Sequence, residues 1–243
     1  MPISTPIQNI KMPPTSPLVT RKTQPGPPSR LTILVYGSPG AGKTYFAGTF
    51  PNPFFIDFQG GLMTVRDKEV TYIQPETYNE LLASVAVADS PEFQTVILDT
   101  ATELVRFLIQ HACKVSGREM PTLAEWGMAI EYVHRLMRAL IDLQDKHIVV
   151  TAEEITEKDE ETGKILGSPD LPGSLRRKIP ALFDCVFHLR NAFNPATSKK
   201  GRWLLTEPEG IYFAKDRTDR LDKLEVPDFT TIWTKVTGGG NIS

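Results

Sequence analysis

The sequence predicts an α/β domain in which a mostly parallel central sheet is flanked by helices and closes in a β-hairpin-like C-terminal edge. Short apolar runs at residues 31–36, Pro53–Asp57, Thr95–Asp99, His147–Ala152 and 184–190 have the length of fully buried strands and are too short for core helices. The segments between them repeat apolar residues at helical spacing, and strands alternating with helices imply a parallel sheet. Two of the runs end in a carboxylate, Asp57 and Asp99.

Taken in order, residues 1–30 read as a flexible arm. Pro13, Pro14, Pro17, Pro25, Pro27 and Pro28 break any periodicity, Lys11, Arg21, Lys22 and Arg30 make it basic, and the first carboxylate of the chain is Asp57. Within it, 7–10 could add a short strand to another sheet. The ordered domain is expected over 31–236. Its first strand, 31–36, leads into a glycine-rich loop and a helix over 44–49. Pro51 and Pro53 mark the turn into the second strand, Pro53–Asp57. A shorter strand at 70–73 and a helix at 76–87 precede Thr95–Asp99. A helix at 101–115 carries Leu104, Phe107, Leu108 and Ala112 on one face. A longer helix at 122–145 repeats Leu123, Ile130, Val133, Met137, Leu140 and Ile141. After His147–Ala152, the segment 154–173 holds Gly163, Gly167, Pro169, Pro172 and Gly173 and is too irregular for a core element; loops of that length usually have a function or no order. Beyond 184–190, alternation at 202–206 and 211–215 suggests the hairpin-like edge, and a short helix is expected at 230–236. A frayed tail, 237–243, ends the chain.

The 243 residues, 40% hydrophobic and 23% charged, suit one such domain that folds without metal or disulfide support. A net charge of -2 excludes an overall basic field, so any nucleic-acid contact must be a local patch. Cys113 and Cys185 stand apart without metal-ligand neighbours and read as buried thiols of a reducing compartment. His111, His134, His147 and His188 show no ligand spacing either. No segment approaches the ~20 apolar residues that span a bilayer, so a cytoplasmic location without membrane contact is expected.

The chemistry concentrates at Gly37-Ser38-Pro39-Gly40-Ala41-Gly42-Lys43-Thr44, which fits the P-loop pattern G-x-x-x-x-G-K-[ST] directly after a buried strand and at the opening of a helix. Glycines let successive backbone N–H groups turn inward toward phosphates, and the helix start, through Tyr45, adds its positive end. Lys43 is placed to bridge the β- and γ-phosphates, and Thr44 and Asp99 to hold Mg²⁺, with ATP the expected nucleotide. Asp99 as a cap of the following helix is compatible with this. Thr100 follows Asp99 where many ATPases carry a second carboxylate, which argues against the AAA+ branch. An ABC-type Leu-Ser-Gly-Gly is missing, as is the second lysine of partition ATPases. A RecA-like protein or a small kinase remains.

Three successive segments, Phe55-Ile56-Asp57-Phe58-Gln59-Gly60-Gly61-Leu62, Val96-Ile97-Leu98-Asp99-Thr100 and Val149-Val150-Thr151-Ala152-Glu153, resemble the core strands of RecA-like recombinases. With Trp126-Gly127, Asp184 and Lys215-Asp216-Arg217-Thr218, the likeness over 31–221 is to the short RecA-like ATPases of bacteriophages, the Sak-type single-strand annealing proteins. The resemblance implies a RecA-like P-loop NTPase core. It puts Gln59 at the family's catalytic glutamate, a departure: an amide holds a water but takes no proton, so hydrolysis should be slow unless Asp57 substitutes. Glu153 falls where such ATPases sense the γ-phosphate, with Glu154 one residue away; a solvated acidic loop start is the alternative. A cation from the next protomer completes the family's site, with Lys215 and Arg217 the candidates here, against a surface ion-pair cluster with Asp216 and Asp219.

By the same resemblance the partners are single-stranded DNA, further copies of the chain in a ring or filament, and a single-strand-binding protein. The family's DNA loop corresponds to 154–173, but its acids outnumber Lys158 and Lys164, so the run Arg176-Arg177-Lys178 is the better contact, helped by the arm and by Lys199, Lys200 and Arg202. The leading expectation is therefore a weakly hydrolysing ATPase of phage recombination and annealing. A nucleotide-gated switch and a small P-loop kinase are the alternatives.

Overall fold

β1 (Thr32–Tyr36) is buried along its whole length because strands flank it on both sides, which is why its sequence is a continuous apolar run. The computed structural model describes residues 26–158, 163–194 and 198–239, so 1–25 of the arm, including 7–10, and 240–243 of the tail lie outside the described residues. Arg30, read as part of the arm, donates to the Leu143 carbonyl at 2.6 Å and is anchored on the domain.

Beside β1 stand β2 (Pro53–Asp57), β3 (Thr71–Ile73), β4 (Thr95–Asp99), β5 (His147–Ala152) and β8 (Cys185–Asn194), all parallel, in the order β8-β1-β5-β4-β2-β3. Parallel strands bring their C-terminal ends to one edge, and the register sets Tyr36 beside Ala152 and Asp57 beside Asp99. The expected α/β architecture, a mostly parallel sheet with flanking helices, is what the chain adopts.

Helices cover both faces. One face packs α2 (Tyr78–Ala88), α3 (Ala101–Ser116), α4 (Leu123–Ile141) and α5 (Leu175–Leu182) through residues such as Leu81, Leu104, Val133, Met137 and Ile179. The other packs α1 (Lys43–Ala47) and α6 (Phe229–Thr237) through Phe46, Phe50, Phe229 and Ile232. Each such side chain removed from water contributes roughly 1.5–3 kcal/mol, which holds the layers against the sheet. The helix starts follow from their caps: Thr100 accepts from the Glu103 amide at 3.1 Å, and Thr122 and Glu125 form a capping box. α4 stops at Ile141, short of the expected 145, where Asp145 at φ 60° turns the chain into β5.

Two parts depart from expectation. The segment 154–173 is not a structureless loop: β6 (Glu154–Lys158) and β7 (Ile165–Pro169) pair antiparallel as a separate two-stranded sheet. At the C-terminal edge, 202–206 does not pair with 211–215. Instead β9 (Lys199–Leu205) folds back on an elongated β8, while β10 (Lys215–Asp216) pairs with the start of β8 and β11 (Leu224–Glu225) with β9. Alternation shows that a strand has two unlike faces and leaves its partner open; here β8 runs past the end of β1 and offers β9 a longer ladder.

Candidate nucleotide site

The site lies where β1, β4 and β5 end. The loop 37–42 leaves β1 with Gly40 at φ 77° and Gly42 at φ 106°, left-handed conformations that glycine adopts without strain. Gly37 answers a different demand: a Cβ there would lie 2.3 Å from the Leu189 carbonyl oxygen of β8. The loop amides of Gly42, Lys43, Thr44 and Tyr45 donate to no group among the described residues, so they are available to an anion. Ser38, Pro39 and Gly40 are exposed, and Ala41 anchors the loop, its N–H bonded to the Ser38 carbonyl at 3.1 Å.

Lys43 is buried and donates to the carbonyls of Gly37 at 2.8 Å and Ser38 at 3.1 Å, folded along its own loop. Burial pulls its ammonium below the ordinary lysine value, while Glu153, Asp99 and Glu154 pull it back up. The Thr44 hydroxyl donates to Asp99 Oδ2 at 2.7 Å, and Thr151 from β5 donates to Asp99 Oδ1. Asp99 is fully buried; burial pushes its carboxyl up, against the hydrogen bonds from Thr151 and Thr44. Its peptide bond to Thr100 is cis. A hydroxyl and a carboxylate are the hard oxygen donors that Mg²⁺ takes, and Gly61, where a Cβ would lie 3.5 Å from Thr44 Oγ1, sets no side chain against the pair. The residues present fit the cation.

The remaining sequence candidates divide into those near this centre and those away from it. Gln59 Nε2 reaches Glu153 Oε1 at 3.4 Å, so the two come together at the mouth of the site. Glu153 heads the charges acting on Lys43, which places it beside the phosphate end of the loop. Asp57, by contrast, is tied down: its Oδ1 accepts from the amides of Gln59 at 3.0 Å and Gly60 at 2.9 Å, and its Oδ2 from Gln74 Nε2 at 2.7 Å. Buried, it anchors the turn that follows β2. It borders a cleft of about 310 Å³ with Gln74, Glu76, Glu103 and Arg106.

Lys215 and Arg217 lead away from the P-loop of their own chain: Lys215 pairs with Val186, level with Leu34 in the middle of β1, and the Arg217 amide bonds Asp184, which is level with Thr32 at the start of β1. Lys215 Nζ donates to the Pro180 carbonyl at 2.8 Å and Arg217 Nη2 to Ala181 at 3.0 Å, so both cations sit on the C-terminal carbonyls of α5, where a helix favours positive charge. Asp216 binds the Thr218 amide at 2.8 Å and closes the following turn. Of the basic run on α5, Arg176 is paired with Glu157 of β6, while Arg177 and Lys178 remain exposed.

Sequence reasoning left the contacts of several members of this neighbourhood unassigned. Thr151 is a polar residue closing a buried aliphatic strand, a visible signal. Glu154 accepts from Ser38 Oγ at 2.7 Å and meets His188 Nε2 at 2.8 Å, joining the P-loop to β6 and β8. The His188 ring stacks on Tyr212 at 3.9 Å between centroids. Burial holds this imidazole below the usual histidine range against the pull of Glu154. No spacing in the chain announces a contact assembled from a loop and two distant strands.

No curated protein matches the sequence. Among solved structures, the KaiC-like protein of the hyperthermophilic archaeon Pyrococcus horikoshii is similar with a TM-score of 0.45 at 15% identity, over 72% of this chain and 77% of that one. The RadB recombinase is similar with a TM-score of 0.45 at 14% identity, over 77% of this chain and 92% of that one. The family described as an AAA domain matches residues 29–218, a span that holds the P-loop, Asp99 and every other residue of the site. It carries that name although Thr100, the position after Asp99, is a helix cap where the AAA+ reading looks for a carboxylate. The chain belongs to the AAA domain family.

Proposed function

We propose that this chain binds ATP with Mg²⁺, hydrolyses it slowly, and acts on single-stranded DNA in recombination by annealing, as an oligomer or filament. The observation that carries the nucleotide reading is the meeting of Lys43, Thr44, Asp99 and Thr151 beside a row of unpaired loop amides. Lys43 exchanges its carbonyl partners for phosphate oxygens, and the loop amides hold the β-phosphate. Thr44 and Asp99 would hold Mg²⁺, which when bound would supply positive charge against the phosphates. Gln59 orients the attacking water and Glu153, its neighbour, accepts the proton as the water oxygen bonds to the γ-phosphorus and the bond to the bridging oxygen breaks, releasing ADP and phosphate. An amide in place of a base at Gln59 supports slow turnover.

DNA binding and self-assembly rest on the resemblance to annealing proteins, with Arg177 and Lys178 the exposed cations of α5. A single-strand-binding protein, a cytoplasmic location, a basic arm at 1–30 and a domain over 31–236 belong to the same reading. Among the described residues no helix is long and apolar enough to cross a membrane. The nucleotide-gated switch gains support from the Ser38–Glu154–His188 chain, which joins the P-loop to the β6–β7 hairpin and gives phosphate binding a route to move it. A kinase lid needs arginines over the phosphates, and that hairpin offers Glu154 and Glu157.

Titration with a fluorescent ATP analogue and Mg²⁺ tests the nucleotide reading. Wild type should bind and Lys43→Ala should lose binding; equal affinity of the two would end the assignment.

A further inference from the structure

Resting on the nucleotide reading above, we propose that Arg202 is a phosphate-binding residue supplied in cis, its guanidinium clamping the polyphosphate of a nucleoside di- or triphosphate at the Gly42 side of the P-loop. The position that a Cβ on Gly42 would occupy is 3.1 Å from Arg202 Nη1, 3.3 Å from its Cδ and 3.4 Å from its Cζ. The side chain therefore lies along the loop and uses the space that a glycine at Gly42 leaves open.

A rigid frame sets that position. β8 continues beyond the last β1 pair, Tyr36 with His188, and β9 returns beside it with Arg202 opposite Asn191 and Trp203 opposite Arg190. Trp203 and Leu204 are buried, and the Leu189 carbonyl is pressed against Gly37, so the hairpin and the P-loop form one unit. An arginine on a strand ladder is held far better than one on a free loop.

The charges call for such a residue. Arg202 is exposed, and among the described residues no acceptor bonds its guanidinium, whereas the nearby Arg190 is paired with Glu209. Lys43 stands in the field of Glu153, Asp99 and Glu154. A bound triphosphate beside three carboxylates carries more negative charge than Lys43 and one Mg²⁺ offset, and a guanidinium fork matches two phosphate oxygens at once.

Affinity for MgATP and MgADP, measured by calorimetry on wild type, Arg202→Ala, Arg202→Lys and Lys43→Ala, tests this. Arg202→Ala should weaken both nucleotides by about tenfold to a hundredfold, the worth of a hydrogen bond to a charged group. Arg202→Lys should fall between, keeping charge without the fork, and the melting temperature without nucleotide should stay at the wild-type value. Arg202→Ala binding within about twofold of wild type, or more tightly, while Lys43→Ala loses binding, would overturn the role of Arg202 and leave the P-loop reading intact. Wild type failing to bind MgATP would remove both.

Discussion

Exchanging the water-handling pair is the sharpest test of the hydrolytic step. Glu153→Gln removes the carboxylate that meets the Gln59 side chain, and adding Gln59→Glu to it restores one carboxylate and one amide in swapped positions. The single change Gln59→Glu is less informative, because it sets two carboxylates about as far apart as the 3.4 Å between Gln59 Nε2 and Glu153 Oε1. At an exposed site that repulsion is on the order of 1 kcal/mol before salt screening. The double variant avoids it. A positioned general base contributes roughly a hundredfold or more, so Glu153→Gln should lower single-turnover hydrolysis by about that factor with ATP affinity little changed, and the double variant should recover most of it. Wild-type turnover in Glu153→Gln would refute the base assignment. Loss without recovery in the double variant would remove Gln59 from the water.

Two further outcomes follow from the geometry. His147 is buried against Phe50, Phe229 and Trp233, and its Nδ1 accepts the Leu31 amide at 3.1 Å. Burial, then the charge of Arg30, lowers its pKa to about 4. The folded form thus resists a proton that the unfolded chain takes up below about 6.5, so this stability is complete above that value and declines as pH falls toward about 4, by roughly 3 kcal/mol at ~1.4 kcal/mol per unit. Urea unfolding at both ends of the window should show this slope flattened in His147→Gln; an unchanged slope would rule the residue out. On α5, Arg177→Ala with Lys178→Ala should weaken single-stranded DNA binding and reduce the salt slope by ~1.4, at ~0.7 per lost contact, whereas Arg176→Ala, whose fork Glu157 already holds, should change little. A double variant with the parent slope would move the DNA surface off this helix.

The P-loop was legible because its whole requirement is local: an apolar strand, glycines able to turn, a lysine, a hydroxyl and a helix start within a dozen or so residues. Asp99 was legible for the same reason, as an acid ending a buried run. Asp57 has the same local signature and other partners: Thr44 and Thr151 face Asp99, the turn amides and Gln74 face Asp57. Lys215 and Arg217 read as cations offered to a neighbouring protomer, and within their own chain they rest on the end of α5. Arg202 read as an auxiliary DNA contact, yet it lies on the P-loop.

Local chemistry alone establishes the alternation of strands and helices, the phosphate loop and the acid beside it, because periodicity, capping and glycine turns act over a few residues. Tertiary structure decided the pairing of β8 with β9, the hairpin at 154–169, the meeting of Gln59 with Glu153, and the reach of Arg202 to Gly42. These depend on which distant strands share a ladder and how far each extends past its neighbour, a choice made by competing long-range contacts that no short window of sequence contains.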